Sequence, residues 1–474
     1  MAELSFPWLT LVVALPTLAS AITWLRLRPE TVRRVSLAGV GLTLGVAIAV
    51  AWVSAGQGPL RDPLLGAIAG RPLLGVDELS ALLLPFGALV FALVVLVMPL
   101  TRLGTHEEPR TLAAEAIVLA TFCAQDPVVL AVLWAFAIIP PLLALRARGE
   151  ATAGTLRVFA VYMGVAVVTF VAGAVLLAVG GDAALVGSAL VTAAVLVRKG
   201  IVPMHSWLPP LMERGPMSLA TLFSVPQLGA YAFVRLVLPT APDDLLSIVG
   251  ELSLLTAVYG AALALVQTEA RRAFGFLFLS ESALVLAGLE GASEVGLTGA
   301  LVVWLSAGLA LTGFGMTLRV LEARRGDLSL LHFHGGYRRT PLLAACFLLL
   351  GLASAGFPGT LGFIGGELLI DGAVAAHPQV GFAVVLAAAL NGITVIRMYG
   401  VLFAGARRHA PYSQRLRRRE ALGFLTLVAL LLAAGLAPRA LVSSRARAAA
   451  ESLESRTSRA SAPSAELDPD QSQD

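Results

Sequence analysis

Six ionisable side chains lie in or beside stretches otherwise too apolar to hold them: Glu115, Arg198, Lys199, His205, Glu281 and Glu367. Charge at membrane depth is costly, so residues of this kind mark an ion pathway or a buried pair. Together they could move protons or cations, since carboxylates, an imidazole and a tunable amine can each take up and release a proton. Lys199 is singled out by count. The chain has 34 basic residues, and Lys199 is its one lysine. Arginine keeps its proton at any relevant pH, whereas a buried lysine can release one. A single lysine kept beside a break in an apolar helix therefore reads as a requirement for a titratable cation. The plainer reading has it snorkelling with Arg198 to an interface.

Each of the other groups carries two readings. Glu115, in Ala114-Glu115-Ala116-Ile117-Val118, has no basic neighbour on its own helix and is the natural counter-ion for Arg198 or Lys199. It either tunes that cation or locks two helices as a static pair. Glu367 follows Gly365-Gly366, where backbone and water can approach a proton-accepting carboxylate; alternatively it heads a half-helix whose dipole favours it. Glu281, in Ser280-Glu281-Ser282, extends a relay or is a structural acid satisfied by serines. His205 follows Pro203 and either shuttles protons or bonds carbonyls freed at a helix break.

The elements that must position these groups follow from composition. Of 474 residues, 57% are hydrophobic and 14% charged, with a mean hydropathy of +0.84. A soluble domain is about 25% charged, so a water-soluble globular protein, a disordered chain and a nucleic-acid binder are all excluded. A span needs about 20 apolar residues. Apolar stretches near 6–25, 35–55, 78–100, 111–125, 127–145, 155–179, 183–204, 217–239, 245–266, 272–290, 296–318, 341–375, 380–405 and 421–438 predict an all-α polytopic membrane protein with about 14 transmembrane helices. Two spans are interrupted, one around Pro203, Pro209 and Pro210, the other at Gly356-Phe357-Pro358-Gly359. Broken helices persist only where protein or a water-filled cavity meets the freed backbone. Two breaks at corresponding places suggest two inverted five-helix repeats with ion sites near the midplane.

Arginines cluster in alternate loops, among them Arg26 to Arg34, Arg146 to Arg157, Arg271-Arg272, Arg324 to Arg339 and Arg407 to Arg419. By the positive-inside rule these loops are cytoplasmic and both termini face outward. The first segment, without preceding basic residues or a cleavage-like site, is expected to stay as a helix. The transmembrane domain is expected over 1–445, followed by a polar, disordered tail over 446–474. Cys123 and Cys346 fit neither a metal spacing nor a disulfide framework. His332 and His334 read as surface-loop residues, and no phosphate loop, nucleophile elbow, HExxH or haem motif is present. No cofactor, metal or nucleic-acid partner is expected.

At Phe6-Pro7-Trp8-Leu9, Gly75-Val76-Asp77-Glu78-Leu79-Ser80, Val202 to Pro209, Gln267 to Arg272 and Phe357-Pro358-Gly359-Thr360 the chain resembles a known family. It is similar to the antiporter-like subunits of respiratory complex I, Mrp cation antiporters and membrane-bound hydrogenases, most of all to the M-type complex I subunit. The resemblance covers about residues 6 to 405 and implies 14 helices in two inverted repeats. It also implies a lysine on the first broken helix, a central lysine or histidine, and a terminal lysine or glutamate on the second. Carried over, Glu115 matches a family glutamate, Arg198 takes the register of the family lysine with Lys199 one position later, and Glu367 matches the terminal glutamate shifted by one. Four positions depart from the pattern. Ala135 stands where the lysine's partner acid belongs, Gln227 where the central lysine belongs, Ala307 in place of a histidine, and Glu281 where relatives carry His or Gln.

The expectation is a proton- or cation-translocating membrane subunit in the bacterial inner membrane, working with other membrane subunits of a complex I-like, hydrogenase-like or carbon-uptake assembly. No covalent catalysis is expected in this chain, and any oxidoreduction falls to a partner. The alternatives are a coupling subunit of an inorganic-carbon uptake complex, or a degenerate scaffold that conducts nothing.

Overall fold

The structure, a computed structural model, describes residues 2–3, 6–25, 27–68, 71–98, 106–290, 293–374, 378–405 and 416–460. It is helical almost throughout. The first four helices are α1 (Trp8–Trp24), α2 (Pro29–Gln57), α3 (Glu78–Val97) and α4 (Glu107–Cys123). Next come α5 (Pro127–Ala137), α6 (Ile139–Arg146), α7 (Ala153–Val179) and α8 (Ala183–Lys199). Short pieces follow at α9 (Leu208–Arg214), α10 (Met217–Ser224) and α11 (Leu228–Ala232), then the long α12 (Asp243–Val266), α13 (Ala270–Gly288) and α14 (Glu294–Arg325). The chain continues through α15 (Pro341–Ser354), α16 (Leu361–Val374), α17 (Pro378–Phe403), α18 (Arg418–Leu436) and α19 (Arg439–Ala460). The only strands among the described residues are two residues long.

Nine of these units are long and apolar enough to cross a membrane among the described residues: α2, α3, α5–α6, α7, the segment Met217–Val237, α12, α14, α17 and α18. The expected total of about 14 also counts α1 and α15, which are shorter, and units that carry breaks or buried charge. The bundle's interior is the Met217–Val237 segment and α14, both almost wholly buried, while α2, α7 and α18 leave most of their surface outside. That outer surface is greasy: Trp52, Val179, Phe382 and Leu436 are among its exposed side chains. An apolar exterior around a core this size is what lipid, not water, solvates. The chain is an all-α membrane protein.

The two expected breaks are present and are built alike. α8 stops at Gly200, whose φ of +72° is open to glycine, and the Ile201 amide reaches back to the Leu196 carbonyl at 2.9 Å. α15 stops the same way: Gly356 has φ +76° and the Phe357 amide reaches the Leu352 carbonyl at 3.1 Å. A left-handed glycine followed by this backward bond is how a helix ends without orphaned carbonyls. Trp207 fastens the first break by donating Nε1–H to the Val197 carbonyl at 2.9 Å.

Two expectations change. Hydropathy predicts an unbroken span over 217–239, yet it opens at Val225-Pro226-Gln227, where Gln227 takes φ +51°, and it closes with a π turn over Phe233–Val237. Proline removes an amide and clashes with the preceding turn, which forces the opening. The polar tail expected from 446 instead continues α19 to Ala460, and 461–474 lies outside the described residues. The arginine-rich α19 finds buried acceptors in the fold. Arg445 is fully buried and donates to the Leu79 and Glu78 carbonyls at 3.0 and 2.7 Å, and Arg447 pairs with Glu78.

Candidate functional site

Lys199 is the last residue of α8, so its side chain leaves the helix where the carbonyl dipoles favour a cation. It is buried, and its Nζ donates to Oε1 of Gln227. The left-handed turn at Gln227 brings the amide to this spot, and Gly229 gives the lysine stem room: a Cβ there would lie 2.9 Å from Lys199 Cγ. Arg198 is also buried, its guanidinium stacked between Trp134 and Phe223 with Cζ 4.5 Å from each ring centroid. Neither cation snorkels. Both border a cavity of about 20 Å³ whose other polar lining is Ser224, Gln227 and Ser282.

Glu115, on α4, is fully buried, and neither carboxylate oxygen accepts a hydrogen bond. The expected pairing with Arg198 or Lys199 is not formed. Aromatic faces take Arg198 and an amide takes Lys199, so each cation has a partner that is not a carboxylate.

A second space opens at the second break. Glu281, Ser306, Ser354, Gly356 and Glu367 line a cleft of about 380 Å³ between α13, α14, α15, α16 and α17. Glu281 is buried and accepts from Asn391 Nδ2 at 2.8 Å, and the same amide nitrogen is 2.9 Å from Ser280 Oγ. Its partner is therefore an asparagine on α17 and not a serine beside it. Glu367 is exposed to the cleft and sits midway along α16, so the helix N-terminus is not what stabilises it. α13 is the wall between the two spaces. Two consecutive residues of it line different spaces, Ser282 the Lys199 cavity and Glu281 the cleft that holds Glu367.

His205 belongs to neither space. It lies in the break after α8, half-buried, with Nε2 3.3 Å from the Tyr259 hydroxyl. His334 bonds the Ser329 carbonyl at 2.7 Å in its loop, and no group of metal-binding side chains occurs among the described residues. Asn391, Trp134 and Phe223 are site residues that sequence reasoning misses. A lone asparagine inside the apolar 380–405 stretch is a readable signal, whereas aromatic rings in an apolar helix give none.

The other matched motifs brace this arrangement. Asp77 caps α3 through the Ser80 amide at 3.0 Å and receives Arg235 from the π turn. The Tyr231 hydroxyl is 3.0 Å from the carbonyls of both Phe122 and Ala124, at the end of the helix that carries Glu115. Arg271, opening α13, donates to the Met212 carbonyl at 2.8 Å and also to that of Gly215.

Residues 152–391, about half of the chain, match the family described as NADH:quinone oxidoreductase/Mrp antiporter, TM. The chain belongs to this family. NADH-quinone oxidoreductase subunit M of Rickettsia prowazekii (strain Madrid E) is 24% identical over 253 residues, 52% of each sequence. Measured this way, the chain spans about half the length of the curated relatives it matches. Likeness of fold extends further. A chain of respiratory complex I from Thermus thermophilus with bound NADH superposes with a TM-score of 0.85 at 25% identity, covering 94% of this chain and 99% of that one. A chain of the Mrp complex from Dietzia sp. DQ12-45-1b gives 0.84 at 19% identity, covering 93% and 96%, which speaks for the fold alone. Within this antiporter family the matched segment runs from α7 to α17 and holds both breaks, Lys199, Gln227, Glu281 and Glu367; Glu115 lies outside it.

Proposed function

We propose that this member of the antiporter family is a proton- or cation-translocating membrane subunit of a multi-subunit energy-coupling complex related to respiratory complex I. The observation that carries the reading is the division at α13, with the one lysine on one side and the Glu281–Glu367 cleft on the other, joined through Ser282 and Glu281. Lys199 would hold the proton beside Gln227, and a hydrated link past Ser282 would pass it to Glu281 and then to Glu367. Transfer needs groups within hydrogen-bond reach or a bridging water, and both spaces are roomy enough for water. No covalent step is involved. In this reading the fold comprises 14 helices in two inverted repeats, supported by the matching chemistry of the breaks at Gly200 and Gly356. Its setting is a bacterial inner membrane with arginine-rich loops inside and both termini outside, alongside other membrane subunits.

Ala135 and Gln227 support a second reading, a scaffold subunit that conducts nothing, because an amide cannot carry the charge expected of a central relay. Proton flux through the assembled complex in membrane vesicles separates the two. Lys199→Ala and Glu367→Ala should each lower flux at least several-fold while the complex stays assembled. Unchanged flux in Lys199→Ala would establish the scaffold reading, and normal coupling in Glu367→Ala would remove the terminal acceptor.

A further inference from the structure

Arg198 and Lys199 are consecutive, both buried, and neither meets a carboxylate. The two rings over Arg198 satisfy only its faces, where cation–π attraction acts. Its N–H bonds lie in the guanidinium plane, and Nη1 and Nη2 have no acceptor. Arg198 and Lys199 both line the cavity of about 20 Å³. Ser224, on its lining, has a buried hydroxyl that is also without a partner, and Ser282 adds a second hydroxyl. The side-chain amide oxygen on this wall, Oε1 of Gln227, already takes the lysine. The lining thus offers donors and positive charge.

Arginine does not shed its proton, and a buried charge left uncompensated is among the most costly features a fold can hold. The carbonyl end of α8 supplies only about half an elementary charge of relief. Glu115 does not line the cavity. We propose that this cavity binds one monatomic anion, a halide such as chloride, held by the free Nη groups of Arg198 and the Ser224 hydroxyl with the Lys199 ammonium close by. The volume sets the class. A space this small favours the smallest anions over phosphate, sulfate or a carboxylic acid. A water molecule would accept a hydrogen bond yet leave the charge unbalanced. The proposal concerns charge compensation at the end of α8 and stands whether or not the chain conducts.

The test uses the full chain in lipid nanodiscs, with thermal unfolding followed in sodium chloride, sodium bromide and sodium gluconate at equal ionic strength. A saturable rise in Tm with chloride and bromide over gluconate is expected, because a ligand bound only by the folded state stabilises it by mass action. Ser224→Asp, which places a fixed carboxylate at the cavity, and Arg198→Gln, which removes the charge, should both abolish the halide response. Radioactive chloride should bind the unaltered protein at one ion per chain. Equal melting in chloride and gluconate, a halide response that survives in both variants, or no retained chloride would each overturn the proposal.

Discussion

Lys199 is held in a slot that its neighbours leave narrow. Gly229 is the tight point: a Cβ would come within 2.9 Å of Lys199 Cγ and 3.2 Å of Cδ, mid-stem positions that cannot swing aside as a chain tip would. Gly229→Val should therefore push the ammonium off Gln227 and reduce proton flux several-fold, measured in vesicles beside Lys199→Ala. If flux in Gly229→Val equals that of the unaltered complex, the Lys199–Gln227 contact is not part of the path. Glu290 gives a different residue-scale prediction. It sits in the loop between α13 and α14, and burial, with the nearby charge of Glu251, pushes its carboxyl up to about 7. An acid raised in the folded state contributes stability below its unfolded pKa and loses it as pH rises toward that folded value. Glu290→Gln should accordingly raise Tm at pH 8 while leaving it near the original at pH 4, and a constant difference across that range would contradict the assignment.

Among elements, the two breaks decide where ionisable groups can stand. Each is a helix end whose last carbonyls are bonded backward through a left-handed glycine, so the chain can leave the helix inside the bundle without orphaned polar groups. Around Gly356 there is space for a methyl, since the atom nearest to an added Cβ would be the Gly362 carbonyl oxygen at 3.6 Å. The penalty of Gly356→Ala is thus conformational, about 1 kcal/mol for placing a side chain at positive φ. It should lower Tm by a few degrees and slow flux by altering the cleft mouth, both read on the purified variant. The third opening, at Pro226-Gln227, has a different construction, with Trp304 Nε1 on α14 donating to the Pro226 carbonyl at 3.2 Å.

At the scale of the whole molecule, α19 and the α3 cap tie distant parts of the chain together. Arg445 and Arg447 hold α19 to the start of α3, and Asp77 at that start also anchors Arg235 from the bundle interior. Burial alone would push the Asp77 carboxyl up, but the Arg235 charge and hydrogen bond, with those from Ser80, outweigh it and hold the group below its ordinary value. An acid lowered in the folded state contributes stability above its unfolded pKa, near about 4, and loses it as pH falls through the folded value. Melting curves from pH 6 down to pH 3 should show a steeper loss for the unaltered chain than for Asp77→Asn, which should already be less stable at pH 6. Parallel curves would mean that the cap carries no charge-dependent stability.

Sequence alone determined the membrane class, the two helix breaks, and the buried Glu115, Arg198, Lys199 and Glu281, because hydropathy and the prolines and glycines that end helices act over a few neighbouring residues. Lys199 was legible for the same reason: a single lysine among arginines is visible in any linear reading. Partnership was decided only by the tertiary structure. Glu115 has the look of a counter-ion for the α8 cations, yet Trp134, Phe223 and Gln227 hold them, and Glu281 turns to Asn391 more than a hundred residues away. Which donor meets which acceptor depends on how α4, α8, α10, α13 and α17 pack, and packing between remote helices leaves no local pattern in the chain.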